Sequence, residues 1–181
     1  PPQDLEAARR LLAEAGYAGG FEAPLEYTEG RLRDAAPIVE AVARDLAPLG
    51  VRVVPRPQTD LLERLQQGRA QFYLSRVVLD GPNAGSYYDV FLHTRAGPRG
   101  LFNSGGYSDP EVDALIEAAE GELKPASRGP LLARIVERVR RDAPLVPLAV
   151  LSEVSGTDGR LRFEPRRDRR VLLADLSFAP R

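Results

Sequence analysis

Leu5, Ala8, Leu11, Leu12 and Ala15 recur at steps of three and four, so their side chains share one face of a helix. Asp4 precedes them as a cap and Gly16 closes the run. A short carboxylate accepts from the first free amides of a helix, and glycine takes the left-handed turn that ends one. After Gly19 and Gly20 the period shortens to two: Phe21, Ala23, Leu25 and Tyr27 line one face of a strand over 21–28. Ile38, Val39, Val42, Leu46 and Leu49 return to helical spacing over 34–49, with Asp34 at the start. Pro37 is tolerated in the first turn of that helix, while Pro48 and Gly50 end it. The β-branched run over 51–55, bounded by proline, reads as a buried strand.

The alternation then repeats. Thr59 or Asp60 caps a helix through Leu61, Leu62, Leu65 and Gln66, Gly68 closes it, and 72–79 reads as the next strand. Strand, helix, strand, helix, strand in this order predicts right-handed parallel crossovers and an α/β layer. Over 80–106 the pattern gives way to Gly, Pro, Asn and Ser, interrupted by Tyr87, Tyr88, Val90, Phe91 and Leu92. A connection of this size inside a compact domain is functional or covers something. Helices resume over 109–122 and 127–141. In the first, Asp109 caps, Pro110 takes the opening position and Glu111 adds negative charge at the start. A strand is expected over 145–151 behind Pro144, and short strands over 161–163 and 171–173 flank a basic stretch.

The 181 residues suffice for one domain of ordinary size, and the 43% apolar content sustains a packed core. Twenty-five basic residues against 26 acidic ones leave a formal charge of −1, without the basic face that nucleic-acid binding requires. With no cysteine there is no disulfide, thiolate metal site or cysteine nucleophile, and one histidine cannot build a multi-histidine zinc site. No apolar run approaches the roughly 20 residues that span a bilayer. The opening at Pro1, without a charged-then-apolar leader, suits a mature chain or an excised piece.

Few residues carry a chemical signal. Gly97, Gly100, Gly105 and Gly106 lack the Lys-Ser/Thr step of a phosphate-cradling loop. His93 follows Phe91 and Leu92 and precedes Thr94, which fits a helix-end residue bonded to its neighbours. The basic run 166–170 reads as a solvated turn. Asp80 and Asp89 fall in the irregular segment after a predicted buried strand, where an open α/β sheet presents its ligand crevice. A carboxylate shielded there suits a ligand ammonium group. Asp80-Gly81-Pro82 is equally good turn chemistry.

Several segments resemble the C-terminal lobe of family 5 extracellular solute-binding proteins, the peptide, dipeptide and nickel receptors of ABC importers. The opening stretch from Asp4 to Tyr17 is similar to the family's lead-in helix, and Ile38 to Val53 to its helix-to-strand turn. Asn103-Ser-Gly-Gly-Tyr-Ser-Asp-Pro-Glu-Val-Asp-Ala-Leu-Ile116 is the most specific match, and Arg140-Arg-Asp-Ala-Pro-Leu-Val-Pro-Leu148 resembles the family's entry into a strand. Together they cover nearly the whole chain in order.

The resemblance implies an α/β, type II periplasmic-binding-protein-like lobe with a mixed sheet flanked by helices. Residues 1–150 would form the solute-binding lobe, and 151–181 would return toward the other lobe. It implies no catalysis and no cofactor or metal. The partners would be a peptide or other small solute, the N-terminal lobe of the same protein, and an ABC permease. The location would be periplasmic or extracellular, secreted or lipid-anchored. Asp80 would pair with a peptide α-amino group, and Tyr87, Tyr88 and Asn103 would line or brace the crevice. Two other classes stay open: a free-standing interaction or regulatory module on the same fold, and a small hydrolase using Asp80 or Asp89 with His93.

Overall fold

The computed structural model describes residues 3–28, 30, 32, 35–77, 85–152, 154–157, 159–166 and 171–178. Helix α1 (Leu5–Glu14) begins where expected: the Asp4 side chain accepts from the Ala7 amide at 2.9 Å. It leads into strand β1 (Phe21–Thr28), helix α2 (Ala35–Leu46) with a 3-10 turn over Ala47–Leu49, and strand β2 (Val51–Gln58). Helix α3 (Leu61–Gln66) and the short strand β3 (Tyr73–Leu74) follow. The three strands are parallel in the order β2-β1-β3, with Phe21 opposite Val51 and Glu26 opposite Tyr73.

Backbone alternation explains how the prolines of β2 are tolerated. The Phe21 amide donates to the Gly50 carbonyl and the Glu26 amide to the Phe72 carbonyl. Odd residues of β1 therefore bond β2 and even ones bond β3. By the same alternation the even residues of β2 face β1, so Pro55 and Pro57 lie along its open edge, where a missing N–H breaks no ladder. The strand thus runs to Gln58 rather than stopping at Pro55, and its edge has fewer donors for another chain to pair with.

Side-chain alternation sorts the helices. Leu25 and Tyr27 are buried against Ala35 and Val39 of α2, with Val53 and Leu74 beside them. Glu26, on the opposite face, meets Arg64 of α3. Right-handed crossovers demand this arrangement, because β1 to β2 and β2 to β3 run in opposite senses across the sheet.

A helical layer follows: α4 (Gly85–Leu92), α5 (Pro110–Gly121) and α6 (Pro125–Asp142). Their shared core is Leu92, Val112, Leu115, Ile116, Ala119 and Ile135. Fully burying side chains of this size contributes about 1.5–3 kcal/mol each. A separate cluster of Leu61, Leu65 and Ala70 packs against Tyr73 and Phe102. Phe91 joins the two, with its ring 5.5 Å from that of Phe102. Asp109 caps α5 by accepting from the Glu111 amide at 2.9 Å.

Four expectations are corrected. The segment 80–106 is not irregular throughout, because Gly85–Leu92 is helical. Its Tyr88, Phe91 and Leu92 are spaced to pack on α5, a short helical signal hidden by the Gly- and Pro-rich sequence before it. The strand over 72–79 shrinks to Tyr73–Leu74, and its expected end at 78–79 lies outside the described residues. No strand forms over 145–151, where Val146 is 73% and Val150 98% exposed. A β-branched run needs a neighbouring ladder, and no described residue pairs with this one. Nearby, β4 (Leu161–Arg162) pairs antiparallel with β5 (Ser177–Phe178), and a 3-10 turn occupies Leu173–Asp175 in place of the strand expected over 171–173. Asp34 and residues 167–170 of the basic run also lie outside the described residues. No described helix is long and apolar enough to cross a membrane.

Candidate functional site

In a parallel sheet of order 2-1-3 the chain changes direction between β1 and β3, and a crevice opens outside the carboxyl ends of those two strands. Thr28 ends β1 there and Leu74 ends β3. In the sequence, Asp80 follows β3 on the way to α4, and it lies outside the described residues. Tyr87 and Tyr88 stand in the first turns of α4.

Both tyrosine rings serve packing before anything else. Tyr87 stacks on Phe91 at 4.8 Å and meets the edge of Tyr88 at 5.9 Å. Tyr88 also packs against the core between α5 and α6. Neither hydroxyl has a hydrogen-bond partner among the described residues, so the phenol tips are what these side chains can offer a ligand. Burial pushes both phenols up, and for Tyr87 the neighbouring Tyr88 adds to the effect. They are therefore neutral groups, able to donate and accept. Tyr73, also pushed up by burial and then by Tyr87, donates to the Phe102 carbonyl at 3.3 Å. Sequence reasoning did not single out Tyr73, although its place at the start of the strand leading to Asp80 was a usable signal.

Asn103 is 3% exposed and its carboxamide is engaged. Its Nδ2 donates to the carbonyls of His93 at 2.9 Å and Tyr107 at 2.6 Å, and its Oδ1 accepts from the Tyr107 amide at 3.0 Å. This geometry is a brace inside the segment from His93 to Ser108. The same segment bonds its surroundings on several sides. Arg95 donates to the carbonyls of Leu65 and Gln66 at the end of α3. Ser104 accepts from the Ala70 amide at 3.1 Å, and the Tyr107 hydroxyl donates to Asp142 of α6 at 2.8 Å. What reads as a loop is the junction between the sheet layer and the helical layer.

The other charged candidates are also engaged. Asp89 accepts from Arg99 at 2.5 Å, and Arg99 reaches Glu120 at 2.9 Å. His93 bonds the Thr94 carbonyl through Nδ1 at 2.7 Å and Glu117 through Nε2 at 3.1 Å. A hydrolase pairing of Asp89 with His93 does not form. Glu26 is buried in a two-point pair with Arg64, at 2.6 and 3.0 Å. Between α5 and α6, Glu111, Arg134, Glu137, Arg138 and Arg141 line an open groove of about 320 Å³. Its charges largely neutralise one another, since Arg138 pairs with Asp109 and Glu111 and Arg134 with Glu111. Among the described residues no group of three His, Cys, Asp or Glu is placed to hold a metal ion.

The family model for bacterial extracellular solute-binding proteins, family 5 (middle), matches residues 1–98. The chain is 29% identical over 156 residues to heme-binding protein A of Haemophilus influenzae, covering 82% of this chain and 28% of that one. It is 27% identical over 169 residues to the glutathione-binding protein GsiB of Pectobacterium atrosepticum, covering 88% of this chain and 32% of that one. Among solved structures it resembles the ABC transporter-associated periplasmic binding protein DppA of Helicobacter pylori in complex with the peptide STSA. That match has a TM-score of 0.68 at 24% identity and covers 80% of this chain and 28% of that one. The chain thus spans about a third of the length of the curated relatives it matches.

Proposed function

Because the chain belongs to the bacterial extracellular solute-binding proteins of family 5, we propose that it is one lobe of a two-lobed receptor that delivers a peptide to an ABC importer. Residues 1–150 are the solute-binding lobe in this reading, and 151–181 the segment that returns to the other lobe. The receptor is exported to the periplasm or the cell exterior, either free or held by a lipid anchor. Its work is binding, by hinge closure over the solute and presentation of the closed form to the permease.

What supports this reading is the parallel order β2-β1-β3, which by the general rule for such sheets sets a ligand crevice outside the carboxyl ends of β1 and β3, with Asp80 in the sequence that follows β3 and Tyr87 and Tyr88 in the next helix. A peptide offers what such a surface takes: an α-ammonium for the carboxylate, and carbonyls and amides for neutral phenols. Affinity drawn from termini and backbone tolerates varied side chains. Asn103 contributes by bracing the segment behind the crevice.

Half a cleft cannot enclose a ligand, and closed sites bury roughly 70–90% of theirs. Calorimetry with a panel of short peptides, glutathione and heme tests the proposal. The 181 residues alone should bind none of them at micromolar concentration, and the chain joined to its missing lobe should bind a peptide. In that two-lobed protein Asp80→Asn should weaken peptide binding roughly 10- to 100-fold, the scale of a charge-assisted hydrogen bond. Micromolar peptide binding by the lobe alone would overturn the two-lobe reading. Unchanged affinity in Asp80→Asn would remove that residue from the site, and preference for heme would replace the peptide.

A further inference from the structure

His93 is the chain's single histidine and stands directly after the last residue of α4. Its backbone amide donates to the Tyr88 carbonyl at 3.1 Å, so the ring is tied to the end of the helix that carries Tyr87 and Tyr88. The ring is buried, and both of its nitrogens face acceptors. Nδ1 lies 2.7 Å from the Thr94 carbonyl and Nε2 lies 3.1 Å from a carboxylate oxygen of Glu117. A carbonyl cannot donate, and an ionised carboxylate cannot either. A neutral imidazole has one N–H and one lone pair. If Nδ1 keeps its proton for Thr94, the lone pair of Nε2 points at a negative oxygen. The imidazolium satisfies both contacts at once, and its charge also suits the carboxyl end of a helix.

We propose that His93 is a protonation-controlled latch that holds the carboxyl end of α4 against α5. Charged, it donates to Thr94 and Glu117. Neutral, with its one proton kept for Thr94, it loses Glu117 and leaves α4 held to α5 by its apolar contacts and by the Arg99 bridge between Asp89 and Glu120. The facing groups on each side agree with this. From α5 come Glu117 and Asp113, the latter 3.7 Å from Nδ1 while also accepting from the Thr94 amide. From the junction comes Arg99, which opposes the charge but is itself held by Asp89 of α4 and Glu120 of α5. Burial, the largest influence, disfavours the charged ring. The bonds to Thr94 and Glu117 and the nearby Asp113 outweigh it, and the group is held above its ordinary value near 6.5.

The sign of the effect follows. A base with a raised folded-state value contributes its stability in full below about pH 6.5, and that contribution disappears as the pH rises through the folded value. The lobe should therefore tighten toward mild acid and loosen toward alkali. The latch acts whatever the solute.

With one histidine, the imidazole signals in a nuclear magnetic resonance titration need no assignment. The expected midpoint lies above 6.5, with both ring N–H protons observable at acid pH. Glu117→Gln, at a half-exposed position where folding should survive, should lower the midpoint by roughly half a pH unit or more. The fall in the thermal unfolding midpoint between about pH 5.5 and about pH 8.5 should be larger in the unmodified chain than in Glu117→Gln. A midpoint at or below 6.5, or one that Glu117→Gln leaves in place, would overturn the latch.

Discussion

Gly20 and Gly50 meet at the start of the first two strands, and a Cβ on Gly20 would lie 2.1 Å from the Gly50 carbonyl oxygen. Gly20 also has φ +75°, a conformation that side chains disfavour. Gly16 provides the control: its φ is +86°, but a Cβ there would meet open space. Gly16→Ala should cost about 1–2 kcal/mol for the backbone conformation alone. Gly20→Ala should cost clearly more, because the edge of β1 must move away from β2 as well. Equal costs in urea titration would mean the close approach is not a constraint. Both glycines read in the sequence as breaks, but nothing local distinguished the one with a neighbour from the one without. Asn103 teaches the same in the junction. Its residue type announced hydrogen bonding, but its partners, His93 and Tyr107, settle that the amide works as a brace.

The elements with strong local signals were legible. The Asp4 and Asp109 caps begin helices where those residues predict, and β1 keeps its full length because its alternation is uninterrupted. Where the local signal was weak or shared, tertiary contacts decided. Helix α4 is short, and it holds its shape by packing Tyr88, Phe91 and Leu92 on α5. The apolar run over 145–151 has strand composition, yet no neighbour among the described residues gives it a ladder. Helix α3 is placed by Glu26 and Arg64, which join it to β1 across 38 residues of sequence. Removing one partner of a buried pair leaves an uncompensated charge, whereas replacing both by apolar groups restores a packed surface. Glu26→Ala should therefore lower the thermal unfolding midpoint, and Glu26→Leu combined with Arg64→Met should recover most of the loss. A double variant no better than the single one would show that the pair is favourable beyond filling its site.

Across the whole molecule, stability should concentrate where the three helices of the second layer meet. Ile135→Ala, at the centre of that core, should cost about 2–5 kcal/mol, while Val150→Thr, at a position 98% exposed, should change stability by no more than about 0.5 kcal/mol. A large loss at Val150 would reveal a partner for the terminal segment within the chain itself. The sequence alone determined the α/β alternation, the parallel crossovers and the family, because periodicity, caps and short motifs depend on residues a few positions apart. The tertiary structure alone decided which polar groups are committed: Asp89 to Arg99, His93 to Glu117, Glu26 to Arg64 and Asn103 to the junction. Those partners lie between four and 38 residues away, and a carboxylate, imidazole or amide has the same chemistry in the sequence whether folding pairs it inside the protein or leaves it open to a ligand.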